Sequence, residues 1–281
     1  MAREIRKPSG LSSLGGRLGT AAVYGAVMLG VIVFGNSLGL AVALSIAAVL
    51  AVIEFYAITR REHRLPNEVF GVVAVACMPV ATALWGQLGL GTVLAILVVI
   101  SLVWHVVFAQ VRASDTAVTV FGAIYTGYAL SHLVLIRALD SGTELALAVV
   151  ISVWANDVFA YLIGSTVGRH KMSPKISPNK SWEGFASGTL FTIATWGAVY
   201  GIVGAAGGEP ALSLGWHLIL GLAVALSAVV GDLAESRLKR EAGVKDSGTL
   251  LPGHGGFLDR FDSLILVSIV AFYLLEWGSK L

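Results

Sequence analysis

A chain of 281 residues that is 56% hydrophobic and only 13% charged cannot cover a soluble globule with polar surface. Its mean hydropathy of +0.82 therefore excludes a soluble domain, and a formal net charge of +2 offers no case for nucleic acid as a partner. Cys77 is the only cysteine, so an intrachain disulfide framework is excluded as well.

Residues 1–17, with scattered Arg, Lys, Leu and Gly, are expected on the anionic inner surface of a membrane. Apolar runs of about 17 to 25 residues, long enough to cross a hydrocarbon core of roughly 30 Å, then recur along the chain. They predict nine spans, over 18–34, 38–58, 69–85, 90–108, 117–136, 146–164, 185–205, 216–230 and 264–277. The fold class is all-α, a polytopic helical membrane bundle. The first run reads as a retained span and not a cleaved signal peptide, because apolar sequence resumes almost at once. With the N-terminus cytoplasmic, all but Arg137 and Lys280 of the 19 Lys and Arg residues fall on the cytoplasmic side, as the positive-inside bias requires. Three parts follow: the segment 1–17, spans one to five over 18–145, and a region 146–281 with cytoplasmic loops at 165–184 and 231–263.

Within the spans little points to chemistry. Gly86, Gly89 and Gly91 follow no soluble strand, so they are no dinucleotide fingerprint. Cys77 reads as a small apolar filler, badly placed for a thiolate. His105 and His132 read as packed and neutral, while His63 and His217 sit at span edges.

The first informative stretch is "WANDVFAYLIGSTVGRHKMSPKISPNKSWEGF", residues 154–185. Asp157 lies on an apolar span, where a carboxylate is expensive unless it faces a polar cavity or a cation. Beyond it come Arg169, Lys171, Lys175 and Lys180 among Ser173, Ser177, Asn179 and Ser181. Cations mixed with hydroxyl and amide donors suit a polyanion such as a triphosphate or a lipid phosphate. The bland alternative is that these lysines only follow the charge bias; it weighs least on Lys180, which stands apart from a basic run.

The second stretch begins at "GDLAESRLKR", 231–240. On a helix Asp232, Glu235 and Lys239 share a face, with Ser236 and Arg240 beside them. Asp259 and Asp262 sit three apart before the last span, so two carboxylate-bearing helix ends meet one aqueous boundary. Mg²⁺ favours such a setting, with one or two carboxylates, waters and substrate phosphates. Between them "KDSGTLLPGHGG" supplies Lys245, Asp246 and His254, with glycines that let backbone N–H groups approach an anion. Arg260 adds a further cation. A merely solvated loop explains this conjunction poorly.

The stretch "SRLKREAGVKDSGTLLPGHGGFLDRFD", residues 236–262, resembles the signature of the phosphatidate cytidylyltransferases, or CDP-diacylglycerol synthases. The resemblance extends back through "GDLAES" to Trp154; spans one to five match only in number and hydropathy. It implies that CTP and phosphatidate, a membrane lipid, give CDP-diacylglycerol and pyrophosphate, with Mg²⁺ as cofactor and Asp232 and Asp259 as its ligands. It also implies a second, monovalent cation, a homodimer, and a place in the bacterial cytoplasmic (inner) membrane with the active site facing the cytoplasm. On this reading Asp232, Asp259, Lys239, Lys245, Asp246, His254 and Arg260 form the catalytic set. Asp157, Lys171, Ser177, Asn179, Lys180, Ser236 and Arg240 bind substrate. Phosphatidate is already an anionic nucleophile, so direct attack on the CTP α-phosphorus is expected, with His254 donating to pyrophosphate oxygens. Other readings are another membrane nucleotidyl- or phosphotransferase, and a secondary transporter.

Overall fold

The computed structural model describes residues 23–62, 64–248 and 255–280. The segment 1–17, the start of the first expected span, His63 and His254 lie outside the described residues.

Helices dominate. In chain order they are α1 (Val23–Phe34), α2 (Ser37–Arg61), α3 (Glu68–Val107), α4 (Ala113–Ala123) running through a π-turn (Ile124–Tyr128) into α5 (Ala129–Arg137), α6 (Gly142–Val167), α7 (Trp182–Ala205), α8 (Leu214–Glu241) and α9 (Asp262–Gly278). A short 3₁₀ turn, Leu258–Arg260, precedes α9. Counting Ala113–Arg137 as one path, six helices among the described residues are long and apolar enough to cross a membrane. The fold is an all-α membrane bundle.

Helix α3 has 40 residues and, if straight, would reach about 60 Å, twice the hydrocarbon thickness. It is not straight. At Gly86 the backbone takes φ 61°, ψ −144°, open to glycine and closed to other residues, and the chain folds back. The Phe70 and Trp104 rings, from opposite ends of α3, meet edge to face at 5.5 Å. The expected spans 69–85 and 90–108 are thus two arms of a hairpin.

Two connections fix the N-terminal helices. The Tyr56 hydroxyl on α2 donates to the Thr119 carbonyl on α4 at 2.7 Å. Gly71 and Gly122 pack against the Tyr56 ring where a Cβ would collide. Arg137 at the end of α5 donates to the Ile32 and Gly35 carbonyls, satisfying acceptors that the end of α1 leaves open. His132 and His217 are buried, each with Nδ1 against the carbonyl four residues earlier. Cys77 departs from expectation: it is no packed filler but exposed on the outer face of α3.

In the C-terminal half α7 lies closely on α6. A Cβ at Gly184 would stand 2.6 Å from the Ala160 carbonyl oxygen, and one at Gly188 would stand 2.7 Å from Asn156 Oδ1. Without a hydrophobic drive between helices in lipid, such small residues supply the close contact that holds them. The loop expected at 165–184 is largely structured. Strands β1 (Lys171–Ser173) and β2 (Ser177–Ser181) form an antiparallel hairpin with Lys171 opposite Ser181, a small exception to the all-α architecture. Helix α8 likewise runs on to Glu241, past the expected end of its span.

Candidate active site

The hairpin is placed by its base. Ser181 caps α7, its hydroxyl accepting from the Gly184 amide at 3.2 Å, and Gly164, Gly168 and Gly184 crowd that hydroxyl. A Cβ at Gly168 would lie 2.4 Å from it, so glycine here lets the strand turn tightly off α6. Beside the base, Glu183 accepts from His170 Nδ1 at 2.6 Å. At the tip, Arg240 Nε donates to the Ile176 carbonyl at 3.2 Å, tying the hairpin to the end of α8.

Between the hairpin and the helices opens a cleft of about 630 Å³, lined by residues that include Asp157, Lys171, Ser177, Asn179, Lys180 and Asp232. Lys180 Nζ lies 2.7 Å from Asp232 Oδ2, and the Ser236 hydroxyl donates to Asp232 Oδ1 at 3.2 Å, one helical turn on. Asp262 lies within electrostatic range of both Asp232 and Asp157. Gly231 makes this possible, since a Cβ there would stand 2.5 Å from the Asp262 carbonyl oxygen. The first turn of α9 therefore sits directly against α8 beside Asp232. The charge of Arg260 also reaches Asp157.

A second polar cluster lies deeper. Lys239 Nζ pairs with Glu235 Oε2 at 2.6 Å, one turn back on α8, and with Asp259 Oδ1 at 2.5 Å. The other oxygen of Asp259 accepts from the Ser247 amide at 3.0 Å and the Gly256 amide at 2.7 Å. Burial pushes the Asp259 carboxyl up, but the hydrogen bond from Lys239 leads a set of contacts that outweigh it and hold the group down to about 2. The Ser247 hydroxyl stands 2.9 Å from Asp259 Oδ2 and 2.8 Å from Glu54 Oε2, so its single proton serves one of them at a time.

The expected site residues thus divide. Asp157, Lys171, Ser177, Asn179, Lys180 and Asp232 line one cleft, with Ser236 hydrogen-bonded at its edge. Lys239 and Asp259 belong to the deeper cluster. Arg240 engages the hairpin backbone. Lys245, Asp246 and Arg260 are exposed around these groups. Sequence reasoning overlooked Ser247 as a contact residue and Glu54 altogether. Glu54 had a signal, being the single charged residue within the apolar run 38–58, the same argument that singled out Asp157.

Both carboxylates have both oxygens engaged in this conformation, Asp232 by Lys180 and Ser236 and Asp259 by Lys239, Ser247 and Gly256. They differ in access: the Asp232 side chain is 31% exposed and lines the cleft, whereas that of Asp259 is 9% exposed, so Asp232 is the more accessible candidate for a divalent cation. Among the described residues no group of three or more His, Cys, Asp and Glu side chains is placed to hold a metal by itself. Mg²⁺ typically needs only one or two carboxylates with water and substrate oxygens.

Comparison with known proteins identifies the family. The phosphatidate cytidylyltransferase of Bacillus subtilis (strain 168) is 38% identical over 154 residues, covering 54% of this chain and 55% of that protein. That of Mycobacterium leprae (strain TN) is 39% identical over 165 residues, 57% of this chain and 50% of its own length. That of Brucella abortus biovar 1 (strain 9-941) is 37% identical over 153 residues, 54% of each. The chain thus spans about half the length of the curated relatives it matches. The model of the cytidylyltransferase family matches residues 16–277, from before α1 into the last turn of α9, so both polar clusters and the helices that hold them lie within it, and the chain belongs to the cytidylyltransferase family.

Proposed function

We propose that this chain transfers the cytidylyl group of CTP to phosphatidate, giving CDP-diacylglycerol and pyrophosphate. The observation that carries this reading is the cleft in which Lys180 and Asp232 face each other, 2.7 Å apart, among Lys171, Ser177 and Asn179. A cleft with both cations and carboxylates suits a substrate rich in phosphate together with its counter-cation. The relatives named phosphatidate cytidylyltransferase supply the substrate pair.

CTP carries about four negative charges and phosphatidate up to two, so bringing them together requires cations that suppress repulsion and accept charge as pyrophosphate forms. Lys171 and Lys180 hold the triphosphate in the cleft, with Ser177 and Asn179 donating to its oxygens. A phosphatidate oxygen attacks the α-phosphorus; the new P–O bond forms as the bond to the β-phosphate bridge oxygen breaks, and the electron pair leaves with pyrophosphate. The nucleophile is already an anion, so no side chain has to remove a proton. Asp232 would hold Mg²⁺, which when bound would neutralise phosphate charge. Asp259 is the second candidate ligand, and as it stands its carboxylate orders the segment around Ser247 and Gly256.

The N-terminus and both polar clusters face the cytoplasm, where CTP is available, in a bacterial cytoplasmic membrane. The bundle crosses it nine times, the two α3 arms counting separately and α1 and α9 included. The enzyme works as a homodimer.

Detergent-solubilised protein given labelled CTP, with and without phosphatidate and Mg²⁺, tests the activity. Labelled lipid should form only when all three are present; no lipid product under any combination refutes the reading. Labelled pyrophosphate should not exchange into CTP without phosphatidate, and robust exchange there would point to a cytidylylated enzyme.

A further inference from the structure

Helix α2 lies outside both polar stretches, yet one of its side chains reaches the second cluster. Glu54 is buried, at 4% exposure. Its Oε2 accepts from the Ser247 hydroxyl at 2.8 Å and from the Leu258 amide at 2.9 Å. Ser247 lies six residues past the end of α8, and Leu258 opens the 3₁₀ turn carrying Asp259.

Two glycines of that segment abut the same carboxylate. A Cβ at Gly248 would lie 2.3 Å from Glu54 Oε1, and one at Gly256 would lie 2.3 Å from Oε2. Backbone on both sides is therefore in contact with one acidic group, with no room for a larger residue. A carboxylate in this place takes the buried Leu258 amide, which would otherwise lack an acceptor, and offers the Ser247 hydroxyl a second acceptor beside Asp259. It also brings Ser247 and Leu258 to one side chain.

We infer that Glu54 is a positioning residue for the reaction proposed above: it holds Ser247 and Leu258 together so that Asp259 and Lys239 keep their relative places. It acts through these residues and touches neither substrate nor cation. The inference rests on that proposed activity for its catalytic consequence, while the bracing itself has a measurement that needs no substrate.

That measurement is amide hydrogen exchange of the peptide spanning residues 242–261 in purified protein. Glu54→Ala removes the acceptor and should make this peptide exchange about tenfold faster, with the α6–α7 peptides unchanged. Glu54→Gln keeps an oxygen in place and should retain near-parent protection and kcat. Glu54→Asp keeps the charge but withdraws it by one methylene, and it should resemble Ala; it also serves if Glu54→Ala fails to fold. In the lipid assay Glu54→Ala should lower kcat about tenfold or more while leaving the KM for CTP within about twofold, since the cleft lining is untouched.

Unchanged exchange in folded Glu54→Ala or Glu54→Asp overturns the inference. So does Gln being as damaging as Ala, which would make the charge the important property. If the parent protein makes no CDP-lipid, the activity reading fails on its own account, and exchange still decides whether Glu54 braces the segment.

Discussion

Lys180 on the β-hairpin and Asp232 on α8 form an ion pair, Nζ to Oδ2 at 2.7 Å, across the cleft between two elements far apart in sequence. Both side chains keep some exposure, 22% and 31%. A pair in that setting contributes at most about 1 kcal/mol to stability, so its main consequence is the charge that each group presents to the cleft.

Lys180→Ala should accordingly raise the KM for CTP by about tenfold or more with the melting temperature in detergent nearly unchanged. Lys180→Arg should recover part of the loss, because it keeps the charge with a different reach and geometry. A Lys180→Ala protein with parent KM would remove Lys180 from the substrate site.

Asp232→Asn and Asp259→Asn should both lower kcat at least about a hundredfold, for different reasons. Loss of the Asp232 charge removes the proposed cation ligand at the cleft, so the remaining activity should need more Mg²⁺. Asp259→Asn removes one of the two charged partners of Lys239 and weakens the acceptor for Ser247 and Gly256, so its Mg²⁺ requirement should stay close to the parent's. Titration of activity with Mg²⁺ separates the two; equal shifts would make Asp259 a ligand as well. Asp140→Asn, at an exposed position between α5 and α6, should be near neutral.

The same contacts set an acid limit. The Asp259 carboxyl is held below its ordinary 3.8, at about 2. A depressed carboxyl contributes stability that is fully present above the unfolded value and is lost as pH falls through the folded one. Protection of the Ser247 and Gly256 amides should hold from neutral pH to about 4 and fade toward 2. In Asp259→Asn this pH-dependent part should be absent, and a parent-like fade in that variant would assign the effect to another group.

Helix α7 offers a matched pair of substitutions. Gly184→Ala would place a Cβ 2.6 Å from a backbone oxygen of α6, whereas nothing lies within 4 Å of a Cβ at Gly201. The first should destabilise by about 1–3 kcal/mol through overpacking. The second should be neutral or stabilise by up to about 1 kcal/mol through helix propensity. Thermal unfolding in detergent compares them, and equal effects would refute the close α6–α7 contact.

Topology is checked by cysteine labelling in a Cys77→Ser background, necessary because Cys77 is exposed on α3. With the hairpin cytoplasmic, a cysteine replacing exposed Lys175 should resist an impermeant reagent added outside intact cells. One replacing exposed Asp140, on the opposite side, should react. The reverse pattern would invert the bundle.

Much of this protein is written locally. Long apolar runs specify membrane helices because each must satisfy its backbone internally in lipid, and 69–85 and 90–108 were legible as separate runs for that reason although one hairpin joins them. Residues 236–262 carry a resemblance strong enough to suggest the family. The β-hairpin was less legible: two short strands rich in Ser, Pro, Asn and Lys have none of the apolar alternation that marks a strand, and they are held by capping at Ser181 and by Arg240 from another helix. The partition of the carboxylates was not legible at all. Asp232 and Asp259 look alike in sequence, and only the fold opens one to a cleft and surrounds the other with Lys239, Ser247 and Gly256. Glu54 meets donors 193 and 204 positions away. What a buried carboxylate does depends on the donors that face it, and across such separations those are chosen by helix packing and not by neighbours along the chain.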